Sequence, residues 1–286
     1  MLCRSLSAVL ALATALVSAA SAQSVDHAQY PDFKGQWNRA VVPGVRGQPS
    51  FDQTMSWGPE QGAPLTPEYQ AVFQASLADL ASGGVGNNID RVRCGPAGMP
   101  LMMVGFRPLE FVVTPERTYV LVGDQDQPRR IFTDGREWPK EITLTYGGYS
   151  IGRWIDTAGQ GRYDMLEVET RGFKGPRVFD SSGLPMHFDN QSIFKERIHL
   201  DRGNANILHD EITVIDHALT RPWTVDKRYT RDANPLVEWS ESVCEEYNGQ
   251  VFIGKDNYFL SADGYLMPTH KDQAPPDTRY FKGVKK

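Results

Sequence analysis

Cysteine is scarce in this sequence: only three occur among its 286 residues, at Cys3, Cys94 and Cys244. None belongs to a CxxC pair, and none stands at a spacing from histidine that is typical of a zinc site. HExxH, a P-loop, a GxGxxG segment before a helix and an EF-hand loop are also missing. These absences argue against zinc-protease chemistry, hydride transfer and phosphoryl transfer from nucleotides, and we expect no cofactor.

Clusters of Lys and Arg are absent too, and the formal net charge is −5 at pH 7. Nucleic-acid binding depends on clustered cations that contact phosphates, so no nucleic-acid partner is expected. No apolar run is long enough to span a membrane, because a spanning helix needs about 20 apolar residues. We therefore expect a soluble protein without a membrane span, whose oligomeric state the sequence does not fix.

Residues 1–22 are typical of a cleavable secretory signal. Arg4 supplies the positive end, residues 8–17 form the apolar stretch, and residues 20–22 (Ala-Ser-Ala) fit a cleavage site before Gln23. A membrane anchor is the alternative, but the apolar stretch is too short for that role. The sequence therefore predicts a periplasmic or secreted protein.

Cleavage of the signal would leave two cysteines, Cys94 and Cys244, in an oxidising compartment. An even number there favours a disulfide bond. The bond would close a loop of about 150 residues, for which the chain-entropy model gives at most about 4–5 kcal/mol of stabilisation. A reactive thiol or a metal ligand is the alternative.

The rest of the chain divides into three parts by pattern. Residues 23–108 form a loop-rich segment with one clear helix at 66–81, which Thr66 caps and a Gly pair ends. From Leu109 the hydrophobic period changes to two, and short strands alternate with turns, one of them a hairpin signal at Asp134-Gly135. Residues 109–250 are predicted as an antiparallel β-barrel core, with a sandwich as the alternative, and residues 251–286 as a C-terminal hairpin and tail wrapped on the barrel.

Several blocks of the sequence resemble those of a known protein family. They are CGPAGMP, RRIFTDGR, SIGRW, SGLPMHFDNQSIFKERIHLD, HALTRPWTV and CEE, which together span most of residues 31–247. On these blocks the chain resembles a large family of mostly uncharacterised secreted bacterial proteins. The resemblance implies a mainly β fold with a calycin-like barrel, the class that includes lipocalins. The turn after Trp154 is longer than in that pattern, and Glu169 stands where the pattern has Asp.

The segment QSIFKERIHL contains the sharpest candidate for chemistry, Glu196. In a strand, Glu196 shares a face with Phe194, Ile198 and Leu200, so its carboxylate is predicted inside the barrel. A buried carboxylate is unfavourable unless it is paired or protonated, and Arg153 or Arg130 is the expected partner. Two interpretations stay open: a structural ion pair, or a general acid, base or ligand anchor. The acids of the following strand lie near its two ends and are expected to reach water.

Other candidates surround Glu196 in the predicted connections. His187 and Asp134 are the candidate catalytic partners, and a turn role is the alternative for the acid. Six further side chains are suited to orienting or lining a ligand, with solvated or packing roles as alternatives. They are Arg136, Arg153, Trp154, Asp189, His217 and Trp223.

These patterns lead to two main hypotheses of function. The first is an enzyme that acts on a small, largely apolar molecule by cofactor-independent acid–base chemistry of the isomerase, lyase or hydrolase type. The second is a non-catalytic carrier of small molecules in the cell envelope, and a third, weaker one is an envelope protein with a solid core. No two His residues have a metal-binding spacing, so a metal is not predicted, and only the fold could bring His and Asp residues together.

Overall fold

The structure is a computed structural model that describes residues 26–40, 62–88, 95–104, 107–123, 127–234, 236, 238–239, 249–253, 256–261 and 263–276. The predicted signal at residues 1–22 and both predicted disulfide partners, Cys94 and Cys244, lie outside these residues. Within them, no helix combines the length and the apolar character needed to cross a membrane.

The core of the fold is a closed barrel of nine strands. Neighbours along the chain pair antiparallel, except that β4 and β5 run parallel, and β1 closes the barrel by pairing with both β2 and β9. This architecture confirms the predicted mainly β barrel and is compatible with a calycin-like fold. The strands are β1 Gln36–Arg39, β2 Leu109–Val113, β3 Arg117–Val122, β4 Arg129–Phe132, β5 Tyr149–Ile155, β6 Met165–Arg171, β7 Ile193–Leu200, β8 Ile207–Ile215 and β9 Trp223–Arg231.

The closing strand β1 comes from the segment that the sequence pattern presents as loop-rich. It has only four residues, too few for a period of two to be recognised. Gly35 precedes it with a φ of +83°, a conformation that favours glycine, and Trp37 is completely buried in the core. The barrel therefore begins before Leu109.

The β4–β5 seam is the second departure from the expected pattern. A hairpin at Asp134-Gly135 would make these two strands antiparallel, but they are parallel, so the hairpin prediction is wrong. Gly135 does turn the chain, with a φ of +76°, but residues 133–148 then return to the end of the barrel where β4 began. Along this β4–β5 pairing, which we call the parallel seam, Ile131 pairs with Ser150 and Phe132 pairs with Ile151.

We call the end of the barrel where β4, β5, β7 and β9 begin, and where β6 and β8 end, the loop end. The long connections of residues 172–192 and 216–222 lie there. The predicted helix is confirmed as α1, Pro67–Ala81, and Thr66 Oγ1 accepts a hydrogen bond from Tyr69 N–H at its start. α1 begins against the loop end, because Thr66 N–H donates to the Ala218 carbonyl at 2.8 Å.

Several smaller elements lie outside the barrel strands, among them two short 3₁₀ helices at His27–Gln29 and Gly86–Asn88. A short helix, α2 (Leu101–Val104), is buried, and its Met103 carbonyl accepts a hydrogen bond from the Tyr229 hydroxyl. Beyond the barrel, a three-stranded antiparallel sheet follows in chain order. Its strands are β10 Gln250–Ile253, β11 Asp256–Leu260 and β12 Leu266–Pro268.

The bond between Cys94 and Cys244 remains a prediction that thiol chemistry can check. A sample that is isolated from an oxidising compartment and denatured without reductant is expected to contain no free thiols, because both cysteines would be in the bond. Reduction before the assay should release two thiols per chain. Two reactive thiols in the unreduced sample would contradict the bond.

Candidate functional site

Glu196 lies inside the barrel, as its strand pattern predicts, with only 1% of its surface exposed. Its partner is Arg129, the first residue of β4: Nη1 donates to Oε1 at 2.7 Å, and Nη2 contacts Oε2. The two groups form a forked, charge-assisted pair, the strongest common geometry for a carboxylate.

The partners expected from the sequence, Arg153 and Arg130, are not the ones found. Both are exposed on the outside, and Arg153 Nε instead contacts Glu167 Oε2 at 3.1 Å. The reason is strand alternation: Arg130 stands between two buried residues, Arg129 and Ile131, and so must point outward. The Arg129–Ile131 alternation was the signal that could have identified the right partner.

Two hydroxyl groups extend the buried pair across neighbouring strands. Arg129 Nη2 also donates to Thr170 Oγ1 at 3.0 Å, and Thr170 Oγ1 lies 2.8 Å from Ser150 Oγ. All four residues are buried and come from β4, β5, β6 and β7. The network therefore connects the parallel seam with the strand that carries Glu196.

Asp210 is a second acid inside the barrel, and sequence reasoning placed it in water. It is completely buried, because it shares the inward face of β8 with Leu208 and Ile212. Neither of its carboxylate oxygens has a hydrogen-bond partner among the described residues. Burial raises the pKa of Asp210 well above its ordinary value, and the negative charge of Glu196 adds to this, against the opposing effect of Arg129. Burial and the neighbouring negative charge thus both favour the protonated form of Asp210.

Lys227 brings a second cation into the interior, with only 1% of its surface exposed. It stands opposite Asp210 on β9, and its Nζ lies 5.8 Å from the centre of the Phe179 ring. The sequence contains the signal for it, since Lys227 alternates with the buried Val225 and Tyr229. The barrel strands thus direct two cations inward, Arg129 and Lys227, as well as the acids Glu196 and Asp210, and Lys227 and Asp210 are paired in the strand register.

A pocket of about 440 Å³ opens beside the parallel seam at the loop end. Its wall is mainly aromatic and aliphatic, and three cations also face it. Arg129 and Ser150 belong to both this wall and the buried network, so a molecule in the pocket would lie next to the Glu196 pair. The residues that line it include Met102, Arg129, Arg130, Phe132, Tyr146, Gly147, Tyr149, Ser150 and Lys174.

A larger pocket, of about 630 Å³, runs along the outer face of β5 to β8. Its charged side chains are paired with each other: Arg197 Nη1 contacts Glu211 Oε2 at 3.3 Å, and Arg153 pairs with Glu167. Exposed pairs of this kind are screened by water and are typical of a solvated sheet face. Glu196 is among the residues that line this pocket, but its side chain is completely buried. We therefore place the candidate site at the smaller pocket.

Asp134 and Arg136 lie outside the barrel and pair with each other. Arg136 Nε donates to Asp134 Oδ1 at 2.9 Å, and its guanidinium lies 3.7 Å from the centre of the Phe132 ring. The hydrogen bond from Arg136 holds the pKa of Asp134 at about 2. No contact joins Asp134 to Glu196, so the structure does not assemble the predicted catalytic pair, although Arg136 Nη1 reaches the pocket residue Tyr149 at 3.1 Å from its hydroxyl.

The two tryptophans proposed as ligand-lining residues pack against other rings. Trp154, near the end of β5, lies 5.1 Å from the Tyr30 ring and 5.7 Å from the Phe33 ring, away from the loop end. Trp223 is buried, with its ring 4.8 Å from that of Phe179. Neither lines the 440 Å³ pocket.

The structure does bring together three other predicted site residues, His187, Asp189 and His217. Nδ1 of His187 lies 3.0 Å from Asp189 Oδ2, and Nδ1 of His217 lies 2.5 Å from the same oxygen. Burial acts to raise the pKa of Asp189, but the backbone N–H of Gln191 and the two imidazoles outweigh it and hold the pKa at about 2. The same hydrogen bond and charge raise the pKa of His217.

Residues 148–152 match the Gly-x-Ser-x-Gly pattern of a hydrolase nucleophile, and the structure argues against that role. The pattern normally marks a sharp turn between a strand and a helix, which exposes the serine. Here Ser150 lies within β5, is buried and bonds to Thr170, while Gly152 brings β5 close to Ile131. Among the described residues, no histidine hydrogen-bonds to it.

Comparisons of the chain with models of protein families and with curated protein sequences find no match. The chemistry of the site therefore rests on its own geometry. The arrangement offers an apolar wall, cations at its edge, and behind it the buried Arg129–Glu196 pair and the second buried acid, Asp210. An apolar wall with cations at its edge can hold an acidic molecule.

Proposed function

We propose that the barrel binds a small, largely apolar molecule in the pocket beside the β4–β5 seam. Phe132, Tyr146 and Tyr149 would contact its apolar part, while Arg130 and Lys174 would attract an acidic group. One observation carries this proposal: Arg129 lines the pocket and at the same time holds Glu196 inside the barrel. We further propose that the protein acts in the periplasm or outside the cell, after removal of residues 1–22.

Proton transfer to the bound molecule is the second candidate function, and Asp210 is the observation that favours it. A protonated acid next to an ionised one provides a proton donor and a proton acceptor in a single site, as isomerisation, elimination and hydrolysis require. This candidate requires Asp210 to be protonated at neutral pH. Infrared difference spectra of wild type and Asp210→Asn should then contain the C=O band of a protonated carboxyl at pH 7. Its absence would remove the proton-transfer candidate and leave the binding function intact.

Anilinonaphthalene sulfonate is a suitable probe, because it combines apolar rings with an anionic group. Gly147 lines the pocket, and a Cβ atom added there meets no atom within 4 Å. Gly147→Phe should fill the pocket and weaken probe binding at least about tenfold, which corresponds to the loss of about 1.4 kcal/mol of binding free energy. Lys174→Gln should weaken it by a smaller factor, since Lys174 contributes charge at the pocket edge. Fluorescence titration measures both effects.

Two matched variants control the experiment. Gly203→Phe places the same ring in the β7–β8 connection, at the far end of the barrel, and Lys195→Gln removes an equal charge from the outer face. Both should bind the probe as wild type does. Near-ultraviolet circular dichroism must show that all variants keep native packing, because loosely packed states also bind this probe. A folded Gly147→Phe protein with unchanged affinity would overturn the proposed site.

A further inference from the structure

The connections at the loop end hold a second cluster that the proposed binding function does not use. His187 and Asp189 lie in the connection from β6 to β7, and His217 lies in the connection from β8 to β9. One nitrogen of each imidazole and one oxygen of the carboxylate all lie within 4.8 Å of one another. Two imidazoles and one carboxylate form a common ligand set for divalent transition metals.

Nδ1 of His187 lies close to both the backbone and the side chain of Asp189. The backbone N–H of Asp189 donates to Nδ1 of His187 at 3.2 Å, so this nitrogen carries a lone pair. The same nitrogen lies 3.0 Å from Asp189 Oδ2, which is also electron-rich. One divalent cation could contact both atoms, since an imidazole nitrogen and a carboxylate oxygen are each suitable ligands for it.

The surroundings hold the ligands in place before a cation arrives. The Asp216 carboxylate accepts the backbone N–H of His187 at 2.8 Å and that of Ala218 at 2.8 Å. It therefore fastens the two connections to each other next to their ligand residues. The His187 ring is further fixed between the Tyr69 ring, at 5.2 Å, and the Phe188 ring, at 4.7 Å.

We propose that His187, Asp189 and His217 bind one divalent cation of the zinc class. Bonds of about 2.0–2.2 Å to each ligand place tetrahedral ligand atoms about 3.4 Å apart. The His217 side chain is 69% exposed, so it can rotate to reach this spacing. Binding would replace the proton that His217 shares with Asp189, and that proton would pass to solvent. Three protein ligands leave at least one position open to water or to an anionic ligand, as in catalytic rather than structural sites.

Zinc titration of tag-free protein tests the proposal directly. Calorimetry should find one Zn²⁺ per wild-type chain, and Asp189→Asn and His217→Ala should each weaken binding at least about tenfold. His27→Ala, which removes an exposed histidine distant in sequence, is the control and should bind as wild type does. Zn²⁺ should raise the melting temperature of wild type and the control but not of His217→Ala, because only a ligand of the folded state stabilises it.

Cobalt provides a readout of the ligands themselves. Co²⁺-loaded wild type should show visible absorption bands of an ion bound to imidazole, and these bands should disappear in His217→Ala. A wild-type protein that takes up no Zn²⁺ or Co²⁺ would show that the cluster is an ion pair only. Equal affinity in wild type, Asp189→Asn and His217→Ala would place any metal elsewhere. Either outcome overturns the metal site without affecting the pocket.

Discussion

Replacing Glu196 by Gln is expected to lower the free energy of unfolding by about 3 kcal/mol, the lower end of the range of about 3–5 kcal/mol for breaking a buried ion pair. The loss arises because Arg129 remains buried and charged without its carboxylate. Asp210 limits the loss, since it can ionise and supply the missing negative charge. Urea unfolding followed by tryptophan fluorescence measures the change.

Additional variants separate this effect from a general intolerance of mutation. Glu196→Gln combined with Asp210→Asn removes both acids, so that no group can supply the missing negative charge, and it should cost more than the sum of the single changes. Glu196→Leu combined with Arg129→Met should return stability to within about 1 kcal/mol of wild type, because no buried charge is left alone. Glu211→Gln, on the outer face, should cost less than about 1 kcal/mol.

The Arg129→Met, Glu196→Leu variant also separates structure from function. If the pair serves the pocket, this variant should be stable and yet bind the anionic probe several-fold more weakly than wild type, because a cation of the pocket wall is gone. A stable double variant with unchanged probe binding would leave Glu196 and Arg129 with a structural role only. A single Glu196→Gln variant as stable as wild type would contradict the buried pair itself.

Asp210→Asn is expected to change how stability depends on pH. An unfolded Asp ionises near pH 3.9, whereas the folded Asp210 keeps its proton to a much higher pH. Above about pH 4 the folded wild type therefore binds more protons than the unfolded chain, and its unfolding free energy falls by up to about 1.4 kcal/mol per pH unit until the folded pKa is reached. The variant lacks this loss, so its stability relative to wild type should increase as the pH rises.

Urea unfolding of both proteins at a series of pH values measures this difference, and the titration of other groups cancels. Asp134→Asn is the control of opposite sign, since the pKa of Asp134 is lowered to about 2. The stabilisation that Asp134 contributes is present above pH 4 and is lost as the pH falls toward 2. The pH dependence of Asp134→Asn should therefore differ from that of wild type only at acidic pH. Parallel curves for wild type and Asp210→Asn would contradict a protonated Asp210.

Strand alternation was sufficient to predict most of the fold and part of the candidate site. It predicted the barrel and the inward direction of Glu196, because a period of two fixes which face is buried. Applied equally to Arg129, Asp210 and Lys227, the same rule would have found the other interior charges. Asp210 was missed because an acid near the end of a strand was expected to reach water. The helix start at Thr66 was predicted separately, from a residue type that caps helices.

The remaining features depend on contacts between distant segments, which a periodic pattern does not contain. β1 is too short to show a period, and it forms only because Trp37 fills the core between β2 and β9. The parallel pairing of β4 and β5 could not be predicted from Asp134-Gly135. The chain does turn at these residues, but the turn does not determine the direction in which β5 pairs with β4. His217 reaches Asp189 only through the fold, since 28 positions separate them.

The pairing of Trp37 with Arg231 has a consequence for how the chain is made. A ribosome delivers β1 among the first strands and β9 as the last strand of the barrel. Until β9 has emerged, the sheet from β1 to β8 has two open edges, and each exposes unpaired backbone donors and acceptors. Contacts of such long sequence separation also form slowly. Closure therefore waits for the last strand, and slow formation of this contact would prolong the exposure of both edges.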